Sequence, residues 1–237
     1  MTRYHGVAWV ALLSVAAPAS PGAALVAQER AARIALQEVR LPKAFKERTE
    51  VKRFIDSLVT AWVLAIGYDI VPQDTTMTLS RQVNDSIGGL FNPVTGLPDP
   101  DKVKAASQAL LTRLGNRGAE YQLYPMVIPN TISFMGPTAE WLGTEEETGG
   151  RGGLGGVVLG THTGRIGVLN FGIIVEDLTG TDVYRGSAGI QLSAKIVKGQ
   201  LVSLATDSLL TNWDRLRAAV ELALKGLPAK VPISHTN

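Results

Sequence analysis

The stretch Ile166–Leu192, IGVLNFGIIVEDLTGTDVYRGSAGIQL, shapes the fold prediction more than any other part of the chain. Apolar and β-branched residues dominate Ile166–Glu176, a composition typical of a long buried strand. Asp177–Gly180 has the acidic, threonine and glycine residues of a tight turn, and Val183–Leu192 then returns as a second strand. We therefore predict a long β-hairpin.

Helical and strand patterns surround this hairpin. Apolar residues recur at helical spacing over Lys46–Ile66, which predicts an amphipathic helix. Capping and terminating residues delimit three more helices: Asp74 or Thr75 with Gly88, Asp99 with Gly115, and Asn212 with Gly226. Further strands are predicted at Ile34–Leu41, Tyr68–Val71, Tyr121–Pro129 and Thr131–Leu142. With no repeat and no linker, this order predicts a single α/β domain: a mixed sheet flanked by helices, with a carboxy-terminal helix.

Residues 1–27 have the pattern of a signal peptide. A positive charge precedes the apolar run Val7–Ala17, and small residues follow, with cleavage after Ala19 or, as we prefer, after Ala27. Two prolines beyond the run oppose the alternative of an amino-terminal helix belonging to the mature fold. The run is shorter than the roughly 20 apolar residues that a membrane span needs. We therefore expect a soluble mature domain, residues 28–237, that is periplasmic or secreted and has no stable membrane insertion.

The composition excludes several kinds of partner and site. The full chain has 23 Lys+Arg and 21 Asp+Glu, and this balance gives no reason to expect a nucleic-acid partner. Its lack of cysteine excludes thiol nucleophiles and thiolate metal sites, and we expect no lipid-modified cysteine. Hydrophobic residues make up 45% of the chain, which favours a folded domain over disorder.

A glycine-rich stretch near residues 143–160 is predicted to be a mobile loop, because glycine loses much conformational freedom when it is ordered. It lacks the Gly-Lys-Ser/Thr ending of a phosphate-binding loop. Trp141 beside the loop and Arg151 within it are the residues that we predict to contact a partner, since exposed tryptophan is enriched at binding hot spots. The alternative for Trp141 is a place in a small core beneath the loop.

Patterns that would carry catalysis or metal binding are weak. His162 fits an exposed strand edge better than a ligand or a base. Gly186–Gly189 (GSAG) has the wrong spacing for a serine-nucleophile elbow, and close backbone approach explains its glycines better. The oxygen-bearing residues of 92–101 do not follow a calcium-loop spacing, and Glu145–Glu147 is predicted to be a solvated run. We predict no catalytic residue, no metal and no cofactor.

Three stretches carry a resemblance to a known group of proteins. Gly67–Pro72 (GYDIVP) follows the first helix, Gly118–Leu123 (GAEYQL) follows the third, and Ile173–Thr181 (IIVEDLTGT) forms an acidic strand–turn–strand. Over most of residues 31–227 the chain resembles envelope proteins that include the curli-secretion lipoprotein, the lipoprotein activators of penicillin-binding proteins, and the amino-terminal domain of the periplasmic propeller protein of the Tol–Pal system. The resemblance implies an envelope accessory or scaffold role. The lipobox cysteine common in these relatives is absent here.

These observations predict an exported, non-enzymatic module that binds another envelope component, an unidentified envelope protein being the expected partner. One alternative is a hydrolase or other enzyme with an unrecognised site, which a deep pocket with perturbed titratable groups would favour. The other alternative is an oligomeric secretion or pore component, which only the similarity to the curli-secretion lipoprotein suggests. The oligomeric state stays open at this point.

Overall fold

A computed structural model of the chain describes residues 31–93, 95–149 and 163–227. The predicted signal peptide and Arg151 lie outside the described residues. The elements follow in the order β1 (Arg33–Leu36), α1 (Thr49–Ala65), β2 (Asp69–Val71), α2 (Gln73–Ile87), α3 (Pro100–Gly115), β3 (Tyr121–Met135), β4 (Thr138–Trp141), β5 (Thr144–Glu147), β6 (Thr163–Asp177), β7 (Asp182–Leu192), β8 (Ala194–Val197), β9 (Gln200–Ser203) and α4 (Trp213–Leu224).

The predicted hairpin, β6–β7, lies at one side of a five-stranded sheet with the strand order β2-β1-β3-β6-β7. β1 runs parallel to both β2 and β3, whereas β6 is antiparallel to its two neighbours, β3 and β7. β3 and β6 pair along their whole length, from Tyr121 opposite Asp177 to Met135 opposite Thr163. The small hairpins β4–β5 and β8–β9 form two-stranded sheets. The predicted mixed α/β fold with a carboxy-terminal helix is confirmed.

Helices cover both faces of the sheet because successive side chains of a strand point to opposite faces. Ile34 and Leu36 of β1 belong to the main core, together with the apolar stripes of α1 and α4. Ala35, between them, belongs to a second core with Leu79 of α2 and Leu114 of α3. The sheet is therefore the middle layer of three, with α1 and α4 on one face and α2 and α3 on the other.

Two predicted helix caps are present and a third is wrong. The Asp99 side chain accepts hydrogen bonds from the backbone of Asp101 and Lys102 at the start of α3. Asn212 accepts one from the backbone of Arg215 at the start of α4. By contrast, α2 begins at Gln73, directly after Pro72 and without a side-chain cap, because Pro72 already fixes φ near the helical value.

The predicted loop at residues 143–160 is wrong in its first part. Thr144–Glu147 forms β5 and pairs with β4, so the chain turns at Leu142 and Gly143, which both have positive φ. This sign of φ at both central residues belongs to a tight two-residue hairpin turn. The hairpin β8–β9 was not predicted, because four-residue strands leave too short an alternation to detect.

The described helices include none that is both long and apolar enough to cross a membrane.

Candidate functional site

A crevice of about 520 Å³ opens at the edge of the sheet where the parallel strands β1 and β2 end. Its walls are the segment Gln37–Leu41 after β1, Lys46 before α1, Lys52 in the first turn of α1, and Met77, Ser80 and Arg81 of α2. α1 and α2 pack on opposite faces of the sheet. In open α/β sheets, ligands bind in crevices outside the carboxyl ends of parallel strands, at the point where neighbouring connections diverge to opposite faces.

The shape of the crevice follows from how the chain leaves β1. The backbone N–H of Gln37 donates to Leu123 of β3 at 2.9 Å, and that of Arg40 donates to Pro125 at 3.0 Å. Glu38 and Val39, between these two attachments, are displaced from the regular ladder. The strand predicted to reach Leu41 therefore ends at Leu36, and the displaced residues form one wall of the crevice.

The crevice is strongly cationic. Arg40, Lys46, Lys52 and Arg81 line it, against the single carboxylate of Glu38. The Lys52 ammonium lies 2.8 Å from the Glu38 carboxylate, and both side chains are partly exposed. Lys46 pairs with Glu47 at 3.3 Å, and both side chains are largely exposed, so that ion pair contributes little to stability.

The two arginines are the uncommitted cations of the crevice. Neither Arg40 nor Arg81 forms an ion pair with any residue that the structure describes. The Arg40 guanidinium instead lies over the ring of Tyr124, 5.6 Å from its centroid. Burial, followed by the charge of Glu176 and a hydrogen bond with it, raises the pKa of Tyr124, so its hydroxyl remains protonated. Tyr124 thus gives Arg40 a fixed platform while leaving its N–H groups free for an anion.

Asp56 of α1 is bonded both to α2 and to the segment that follows β1. Its carboxylate accepts a hydrogen bond from the Gln73 side chain at 3.3 Å, and it is also bonded to the Val39 backbone. Burial raises the pKa of Asp56 to about 6, with a smaller contribution from the charge of Glu38, while Lys52 acts in the opposite direction. Gln73 begins α2 and Val39 belongs to the strand-end segment, so Asp56 holds these two walls together.

Two buried amides lie on the sheet near this position. Among the described residues, the Gln37 Nε2 atom and both polar atoms of Gln122 are buried without a hydrogen-bond partner. Gln37 lines the crevice, and Gln122 pairs in register with Ala35, two residues before Gln37. Such unmatched groups in a native protein need a cause, and a ligand site is one such cause.

Trp141, predicted to contact a partner, lies in a small core and is only 7% exposed. Its indole N–H donates to the Asn170 side chain at 2.9 Å, and its ring packs with Ala139, Ile166, Val168, Leu192 and Ala194. The expectation of an exposed Trp141 ring is therefore wrong, and the alternative of a small core is correct. Its role in partner contact, like that of Arg151, stays a prediction.

The position of Glu146 differs from the sequence prediction. Glu146 is not part of a solvated run: its carboxylate accepts a hydrogen bond from the Leu192 backbone and pairs with Arg215, each at 2.8 Å. Trp213 is 39% exposed, and its ring centroid lies 4.8 Å from that of Phe54.

Sequence reasoning missed the crevice itself. Its cations come from three separate segments, and none of them belongs to a recognisable motif. The usable signal was topological: a strand–helix–strand unit places the residues that follow both strands at one edge of the sheet. This topology points to the basic residues that follow Ile34–Leu36 and to those of the second predicted helix.

The fold and the crevice define an α/β domain with a cationic site at the carboxyl ends of its parallel strands. No protein-family model matches the sequence, and no curated protein is significantly similar to it. Among solved structures, the crystal structure of a neuraminyllactose-binding hemagglutinin homolog from Helicobacter pylori aligns over 86% of this chain and 87% of its own, with 9% identity and a TM-score of 0.35. We draw no conclusion about fold or function from a likeness at that level.

Proposed function

We propose that this protein is a binding module rather than an enzyme, and that it holds an anionic group in the crevice between α1 and α2. The observation that carries the proposal is the pair Arg40 and Arg81, two guanidinium groups without a carboxylate partner among the described residues, on opposite walls of a 520 Å³ crevice. Arginine binds carboxylate and phosphate groups through two parallel hydrogen bonds, which gives both affinity and orientation.

The cellular setting belongs to the same proposal. The signal-peptide pattern of residues 1–27 and the resemblance to envelope accessory proteins support an exported protein that binds an envelope component. That component would present the anionic group. Trp141, through the hairpin that it anchors, and Arg151 remain proposed contacts with a protein partner.

The test uses the mature chain and two matched double variants. Arg40→Gln with Arg81→Gln removes both free guanidinium groups, whereas Arg165→Gln with Arg185→Gln removes the same charge from exposed positions on β6 and β7. We expect calorimetric titration with inorganic pyrophosphate to show binding that the first variant weakens by at least about tenfold and the second by less than about twofold, since a charged hydrogen bond contributes roughly 1.5–3 kcal/mol. Equal losses in both variants, or no binding by the wild type, would overturn the proposal.

A hydrolytic enzyme is the second candidate, and one observation favours it. Asp56 is bonded to the backbone of Val39, a residue that lines the crevice, and has a pKa raised to about 6 by burial, as a general acid or base would have. Binding remains the better proposal because the Asp56 carboxylate is already bonded to the Val39 backbone and to Gln73. Hydrolysis of a phosphate or carboxylate ester that is abolished by Asp56→Asn, with ligand affinity retained, would reverse this preference.

A further inference from the structure

We infer that the ligand of this crevice is an anionic amphiphile, an organic phosphate or carboxylate whose anionic group adjoins a short hydrocarbon segment. The inference rests on the proposed function and names the chemical class of the ligand for the same site.

The α2 wall presents a cation and an apolar group one helical turn apart. Met77 and Arg81 both line the crevice and are separated by four residues of α2, so they are neighbours on one helix face, about 6 Å apart along the axis. Met77 is partly buried and Arg81 is exposed. A ligand that contacts both must place an anionic atom and an apolar atom within that distance.

The opposite wall also has a cation and an apolar side chain among its lining residues. Leu41 directly follows Arg40 in the strand-end segment, and both residues line the crevice. Leu41 is partly buried and packs against the main core, leaving part of its surface open. Each wall therefore has a guanidinium group and an aliphatic or thioether side chain among its lining residues.

The two simpler ligand classes fit this lining less well. A wholly inorganic polyanion would satisfy Arg40 and Arg81 but would leave Leu41 and Met77 facing water. A wholly apolar ligand would remove the guanidinium groups from water without replacing their hydrogen bonds, which is costly for charged groups. Only a ligand with both parts matches the whole lining, and Met77 gives its apolar side an adaptable contact.

The probes that test the inference are inorganic phosphate and methyl, butyl and hexyl phosphate, each titrated into the mature chain by calorimetry at neutral pH. Burial of one methylene group contributes about 0.8 kcal/mol, or about fourfold in affinity. The crevice is open, so it covers the alkyl chain of the ligand only in part and the gain is smaller than full burial would give. We therefore expect hexyl phosphate to bind at least about tenfold more tightly than inorganic phosphate. We also expect a heat-capacity change that becomes more negative with chain length.

A pair of methionine variants identifies the apolar contact. Met77→Gln keeps the length of the side chain and its helix propensity, and we expect it to remove most of the chain-length gain, measured as the ratio of hexyl phosphate affinity to inorganic phosphate affinity. Met135→Gln, at the far end of β3 where the side chain is 74% exposed, should keep the whole gain.

The outcomes separate this inference from the proposed function. If phosphate binds but the alkyl chain adds nothing, or if Met135→Gln reduces the gain as much as Met77→Gln, the amphiphile is wrong and the anion site stands. If none of the phosphates binds, the proposed function itself fails. Sedimentation with phosphatidylcholine vesicles, with and without phosphatidylglycerol, then distinguishes the sources of the ligand. Retention on the anionic vesicles, competed by hexyl phosphate, supports a membrane lipid, and binding of hexyl phosphate alone supports a soluble amphiphile.

Discussion

Asp56 is mostly charged at neutral pH although burial and the nearby Glu38 both disfavour its charge. Its hydrogen bonds to Gln73 and to the Val39 backbone compensate in part, and in doing so they fix the crevice walls. A side chain that holds two walls in place thus carries an unfavourable charge. Because the Asp56 carboxylate titrates and also fixes the walls, the geometry of the crevice depends on pH.

We predict that Asp56→Asn makes the domain less sensitive to pH. The pKa of Asp56 in the folded state, about 6, lies above its ordinary value of 3.8, so its stabilising contribution is complete below about pH 4 and is lost as the pH rises through about 6. The full shift would correspond to about 3 kcal/mol, which we reduce to about 1–2 kcal/mol because the carboxyl is partly exposed and screened by solvent.

Urea unfolding of both proteins at about pH 4 and pH 8 measures this difference. The asparagine variant should gain about 1–2 kcal/mol relative to the wild type at the higher pH. Asp85→Asn, at an exposed position of α2, is the matched control. Parallel pH profiles for the wild type and Asp56→Asn would contradict the prediction.

The β4–β5 hairpin is an element whose strands are too short to be stable alone, and named contacts hold it to the long sheet. The Thr144 hydroxyl donates to the Gly189 backbone at 2.8 Å, and Glu146 joins the backbone of Leu192 to Arg215. Trp141 adds its buried hydrogen bond to Asn170. The predicted close approach at Gly189 is confirmed here, since a Cβ atom at that position would lie 2.6 Å from the indole nitrogen.

We predict that Trp141→Phe destabilises the domain mainly by leaving the Asn170 side-chain oxygen without a donor. A buried acceptor that loses its partner costs about 1–3 kcal/mol, to which the smaller ring adds a cavity contribution. Trp213→Phe, at a position 39% exposed, should cost less than about 1 kcal/mol. Thermal and urea unfolding measure both changes. A loss at Trp141 no larger than that at Trp213 would contradict the prediction.

Across the whole molecule, sequence patterns correctly predicted the features that depend on interactions between residues close together in the chain. The predicted N-caps Asp99 and Asn212 are both present. Predictions failed where a distant contact decides the outcome. Glu146 is ordered because it reaches Leu192, 46 residues away. Trp141 is buried because β4 packs on the long hairpin.

The crevice could not be predicted from spacing for the same reason. Arg40, Lys52 and Arg81 meet only because two parallel strands end at one edge of the sheet and their helices diverge to opposite faces. Topology, rather than a motif, creates the site. The predicted resemblance to envelope proteins did not point to these residues either.

The central claim is that an anion binds between the strand-end segment and α2, and its location can be mapped directly. We would titrate inorganic phosphate into isotopically labelled protein comprising residues 28–237 and follow amide and arginine side-chain resonances. We predict that the largest chemical-shift changes fall on residues 37–41 and 77–81 and on the Arg40 and Arg81 guanidinium groups. Shifts confined to other parts of the domain, or none at concentrations that saturate ordinary phosphate sites, would contradict it.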